Sequence, residues 1–138
     1  MAVVEVVSPG NKGNRHGIRA FVDKAETLIG SGVHLTVLDL FPPGPRDLYG
    51  MHGLIWEAVA GEDFTLPAET PLVMASYRAD VPPEYFLDVT TSGQALIDLP
   101  VFLTTEEYVL LPLEQTYQSA WAAIPEYSQD QITSAPRT

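Results

Sequence analysis

Residues 2–40 place a strand, a helix and a strand in succession, and few architectures accept that order. AVVEVVS (2–8) carries four valines in six residues, which is strong β character. Apolar residues on both of its faces predict burial on both sides. Pro9, Gly10 and Gly13 then break the pattern. From Arg15 to Ile29 the apolar residues Ile18, Phe21, Val22, Ala25, Leu28 and Ile29 fall on one helical stripe. Asn14 is a candidate N-cap, and Gly30 and Gly32 supply a C-terminal stop. Arg19 and Asp23, four apart, can pair on the outer side. VHLTVLDL (33–40) reads as a second strand. Two strands joined by a crossover helix are parallel, and the crossover is right-handed.

FPPGP (41–45) ends this unit abruptly. Residues 46–70 read as an excursion with a turn or two of helix, centred on LIWEAVA (54–60). LVMASYR (72–78) and EYFLDVT (84–90) flank a turn containing Val81, Pro82 and Pro83, which predicts an antiparallel hairpin. ALIDLPVFL (95–103) is apolar but contains Pro100, so it is at most an edge element. Thr104 or Thr105 followed by Glu106 and Glu107 suggests a single helical turn. Residues 113–124 read as a closing helix, with Leu113, Tyr117, Ala120, Trp121 and Ile124 on one face and Pro125 after its end. The expected fold class is α/β: a mixed sheet with a βαβ unit and an antiparallel hairpin, flanked by helices. One domain spans 1–125, and 126–138 is a polar tail.

Composition removes several functions. Of 138 residues, 18 are acidic and 7 basic, a formal charge of −11. That balance is the reverse of what a generic nucleic-acid or anionic-membrane binder needs. With no cysteine, there is no disulfide, no thiolate nucleophile and no zinc ribbon. The apolar start lacks a basic leader and a cleavage site, and no window is long and apolar enough to span a bilayer. A soluble cytoplasmic protein with no membrane partner is the expectation. Neither a P-loop nor G-x-G-x-x-G nor G-x-S-x-G occurs, and His16, His34 and His52 are too dispersed for a metal motif.

Three places could carry chemistry. Glu5 stands between valines on the first strand, where a carboxylate needs a cation, a metal or water. The bases are concentrated beside it: Lys12, Arg15, Arg19 and Lys24 are four of the seven. Lys12 follows the first strand, at the carboxyl end where ligands gather in parallel sheets. Lys24 borders the buried helical stripe and is within reach of Glu5. Asp39, near the end of the second strand, continues the apolar face of Val33, Leu35 and Val37. It could join Glu5 in a hard-metal site, or cap the turn into Pro42 and Pro43. Each of these residues also has a purely structural use as a surface or ion-paired group.

The segments VVEVVSPGNK (3–12), SGVHLTVLDL (31–40), YRAD (77–80), IDLPVFL (97–103) and PLEQTYQSAWAAIP (112–125) together resemble an uncharacterised bacterial family of unknown function. The likeness covers about 120 of the 138 residues and keeps the order of segments. Members of that family are about twice as long, so the chain corresponds to their C-terminal half. V-E-V-x-S-P is also similar to nucleases of the PD-(D/E)XK superfamily, in which an acid-bearing strand precedes a helix and a parallel strand. That resemblance implies a truncated restriction-endonuclease-like core, with Glu5 as a metal carboxylate and Mg2+ as the metal. The motif's lysine ordinarily lies two residues after the acid, where Val7 stands, so Lys12 or Lys24 would take its part. The expectation is a nuclease-like relative lacking a complete catalytic site, for which nucleic acid is not a partner of this chain alone. The alternative is a non-enzymatic binding or homo-oligomeric assembly module with an acidic surface.

Overall fold

A computed structural model describes residues 1–123. The first strand, β1 (Ala2–Val6), and the second, β2 (His34–Asp39), run parallel and are joined by helix α2 (Arg15–Gly30). The expected βαβ unit is therefore present. Asn14 caps α2 as expected, its Oδ1 accepting from Gly17 N at 2.8 Å. Ile18, Phe21, Ala25 and Ile29 are buried, with Val22 and Leu28 packed beside them. The possible Arg19–Asp23 pair is not among the ion pairs of the described residues.

Between β1 and α2 lies a single helical turn, α1 (Pro9–Lys12), where the sequence suggests only a break. Its start is held locally: Asn11 Oδ1 accepts from Ser8 N at 2.7 Å and from Ser8 Oγ at 2.8 Å. Gly17 is what lets α1 lie against α2. A Cβ at that position would stand 2.8 Å from Gly10 O, closer than atoms tolerate.

β3 (Leu72–Arg78) and β4 (Glu84–Thr90) form the expected antiparallel hairpin, and β3 also pairs antiparallel with β2. The sheet order is β1-β2-β3-β4, so β1 is an edge. This corrects the expectation for β1. Val7 and the α2 side of the strand are covered, whereas Val4 and Val6 on the other side are 45% and 60% exposed. Burial on both faces belongs instead to β2, which has a strand on each side.

Helix α3 (Gly50–Ala60) begins four residues before the expected segment. Gly50 opens it with φ of +75°, a conformation that glycine reaches without strain. α3 packs beside α2, and both lie on one face of the sheet. Leu35, Val37, Ala75 and Tyr77 point into this layer, with Met51, Ile55 and Trp56 from α3.

The 95–112 region departs furthest from expectation. β5 (Asp98–Phe102) pairs with β6 (Tyr108–Pro112), which sequence reasoning did not see, as a separate two-stranded sheet. Pro100 is accommodated because a two-stranded ribbon is all edge. Residues 104–107 are its turn rather than a helical one, with Thr104 Oγ1 accepting from Glu106 N and Glu107 N. β5 lies over the opposite face of β2 and β3. Met74, Leu99 and Leu113 form a second core there. Thr36 and Ser76 face the same way, 3.2 Å apart, and Ser76 Oγ donates to Pro100 O, which ties the ribbon to the sheet. α4 (Leu113–Ala123) closes the described chain, and Leu113 of the expected apolar face is buried. Ile124 and the expected tail, 126–138, lie outside the described residues.

Candidate functional site

Two charged groups lie on the α2 side of the parallel pair. Glu5 stands beside Val37, and Asp39 comes two residues further along β2 on the same face. The sequence-predicted residues separate into two sets here. Glu5 pairs with Lys24 from α2, as its reach suggests. Both ends are partly in water, Lys24 57% and Glu5 27% exposed. Such a pair contributes roughly 1 kcal/mol or less. Asp39 pairs not with Glu5 but with Lys12.

The Lys12 group is of another kind. Asp39 and Asp47 are each 2% exposed, and the Lys12 ammonium lies between them. Nζ is 2.8 Å from Asp39 Oδ1 and 2.7 Å from Asp47 Oδ2, and it donates to Phe41 O at 2.8 Å. The remaining carboxylate oxygens hold main chain: Asp39 Oδ2 accepts from Met51 N at 2.9 Å, and Asp47 Oδ1 from Gly44 N at 2.8 Å. The local sequence dictates this arrangement. Gly44 and Asp47 close a turn on each other, Gly44 N to the carboxylate and Asp47 N to Gly44 O. Gly50 N then bonds Asp47 O, and the chain enters α3. Asp39 thus acts as a cap, but of the α3 N-terminus rather than of the turn into Pro42 and Pro43. Burial pushes the Asp39 carboxyl above its ordinary range, opposed by Lys12 and the Met51 amide.

A third group lies deeper between α3 and the sheet. His52 Nδ1 is 2.6 Å from Tyr77 Oη, and the imidazole is enclosed by Trp56, Phe64 and Tyr85. Among the described residues its Nε2 is buried without a hydrogen-bond partner. Burial lowers the His52 pKa to about 4 and raises that of Tyr77. The imidazole is neutral at physiological pH, and its position suits packing.

Sequence reasoning missed Asp47, and it weighed His52 only as a metal ligand. Asp47 left one signal, its spacing of three from Gly44 in a proline-rich turn. His52 left a weaker one, three positions before Ile55 in an otherwise apolar helix. Among the described residues no group of three or more His, Asp or Glu is arranged to hold a metal, and no helix is long and apolar enough to cross a membrane. No family model, curated protein or solved structure matches the chain.

Proposed function

We propose that this chain is a non-enzymatic assembly module that pairs with a second copy of itself through β1. The observation that carries this reading is the unguarded edge of the sheet. Among the described residues β1 is bonded to β2 on one side only, and its other side has no strand beside it, with Val4 and Val6 exposed. Edges of soluble proteins are ordinarily blunted by lysine, proline or a bulge. β1 has none of these, and its one charge, Glu5, is turned toward α2 and paired with Lys24. The opposite edge, β4, carries Glu84 and Asp88 and follows Pro82 and Pro83. A twofold pairing of β1 with itself brings the same valines together from both copies. A chain without cysteine suits a reducing cytoplasm, where we place it.

Light scattering tests this directly. A dimer is expected, more populated as salt rises, because each copy carries −11. Val6→Lys places a charge on the edge and is expected to give a monomer with an unchanged circular dichroism spectrum. A wild-type monomer at high salt and submillimolar concentration overturns the reading.

A second reading, a Mg2+-dependent phosphodiesterase related to restriction-endonuclease-like proteins, is favoured by one feature. Glu5 and Asp39 share a face near the carboxyl ends of parallel strands, each with a lysine. Against it, each lysine is spent in neutralising a carboxylate that would otherwise hold the metal. Calorimetry with Mg2+ separates the two, since this reading requires binding that Glu5→Ala abolishes.

A further inference from the structure

We propose that the cleft on the outer face of α3 binds a free α-amino acid with an apolar side chain, held by Arg46 at its carboxylate and by Glu57 and Asp63 at its ammonium group. The cleft has a volume of about 420 Å3, within the range of small-molecule sites. Three segments meet around it: the turn that enters α3, one face of α3, and residues 63–65. That face is Gly50, Gly53, Leu54 and Glu57 at helical spacing, distinct from the face of Met51, Ile55 and Trp56 that packs into the core. None of the lining residues belongs to β1, so the site is separate from the pairing edge.

Both walls are held from behind, which makes the cleft a preformed one. Asp47 closes the entering turn on Gly44 and accepts from Gly50 N through its carbonyl. On the other side Trp56 Nε1 donates to Glu62 Oε2 at 3.0 Å, and the Phe64 ring stands edge-on to buried His52 with 4.6 Å between centroids. Gly53 supplies the floor. A Cβ there would stand 3.3 Å from Tyr49 Cβ and 3.8 Å from Phe64 Cδ1, so the two aromatic residues come together over bare backbone. Leu48 and Tyr49 remain 69% and 43% exposed beside it, apolar surface that the fold itself does not cover. The charges around this apolar floor are of both signs. Among the described residues Arg46, Glu57 and Asp63 take part in no ion pair, whereas Lys12, Lys24 and Arg78 each meet an acid. A guanidinium fork suits a carboxylate, and the two acids suit an ammonium. A zwitterion answers both signs at once, whereas a simple anion would also meet the two carboxylates and a simple amine the guanidinium. Its apolar body takes Tyr49, Leu54 and Phe64 out of water.

The test is amide NMR and calorimetry on the full chain titrated with L-phenylalanine or L-leucine. Saturable shifts of the Gly53, Leu54 and Thr65 amides are expected, with the amides of β1 unmoved. Phenylpropanoate lacks the ammonium and phenethylamine lacks the carboxylate. Each is expected to bind at least about tenfold more weakly than phenylalanine, the loss of one charge-assisted contact. Arg46→Gln is expected to weaken phenylalanine to the same extent. Arg19→Gln, which removes an exposed arginine outside the cleft, is expected to leave it unchanged. Arg46 is itself exposed, so its variant is expected to keep the wild-type circular dichroism spectrum. No saturable shift of the cleft amides with either amino acid at millimolar concentration overturns the site. So does phenylpropanoate or phenethylamine binding as tightly as phenylalanine, or binding that Arg46→Gln leaves unchanged.

Discussion

Lys12 and His52 are two residues whose energetics depend on burial. Removing Lys12 leaves two carboxylates in the interior without a counter-ion. Breaking a buried pair in this way costs about 3–5 kcal/mol. Lys12→Met is therefore expected to lower stability by that order in urea denaturation. Lys24→Ala removes only the half-exposed partner of Glu5, and by comparison is expected to be nearly silent. His52 sets a pH dependence. Its folded pKa of about 4 lies below the ordinary 6.5, so between these values the unfolded chain binds the proton more readily. The contribution is fully present above pH 6.5 and is lost progressively as pH falls toward 4. The difference amounts to roughly 3 kcal/mol. His34, also lowered by burial, acts in the same direction. Asp39 acts in the opposite one, because a raised carboxyl pKa makes its ionised form the costly one in the fold. His52→Gln is expected to flatten the fall in melting temperature between pH 6.5 and 4.

At the scale of elements, the contact of α1 with α2 positions Lys12. Gly17 permits that contact, and Gly17→Ala brings a methyl group within 2.8 Å of Gly10 O. Overpacking of this kind costs about 1–3 kcal/mol. Displacement of α1 is expected to draw Lys12 from its carboxylates, which the chemical shifts of the Gly44 and Met51 amides would register. The elements that the sequence made legible are those whose pattern is local. The apolar stripe of α2, the Asn14 cap and the β3–β4 hairpin each follow from spacing within one segment. α3 and β6 were less legible for definite reasons. Gly50 and Gly53 obscured the start of α3, although Gly50 is there because the entry into the helix has positive φ. β6 was hidden because Glu106 and Glu107 lie next to Thr104 in a pattern that equally suits a helix start. Its pairing with β5 is a fact about partners, not about either segment.

For the whole molecule, two cores form on opposite faces of one sheet. α2 and α3 cover one face, and the β5–β6 ribbon with Leu113 of α4 covers β2 and β3 on the other. The ribbon does not extend its cover to Val4 and Val6, and this is why the free edge and the exposed valines coincide. Self-association through β1 is accordingly a property of the assembled sheet, and salt is expected to promote it by screening the acidic surface. A fall in dimer population with rising salt, measured by light scattering, would contradict that electrostatic account.

The sequence by itself determined the βαβ unit, the hairpin and the mixed α/β class, because hydrophobic periodicity and turn residues act over a few positions. It also identified Glu5 as a charge needing a partner, because a carboxylate among valines must be neutralised, and singled out Lys12, Lys24 and Asp39 as charged groups of interest. Which charge meets which was decided only by the tertiary structure. Lys24 reaches Glu5 across one helix, as the stripe of α2 suggests. Lys12 and Asp39 find Asp47 instead, since the turn from Gly44 to Gly50 folds back over the end of β2. Ion pairing depends on distances of a few ångströms between segments, and no pattern within a segment encodes them.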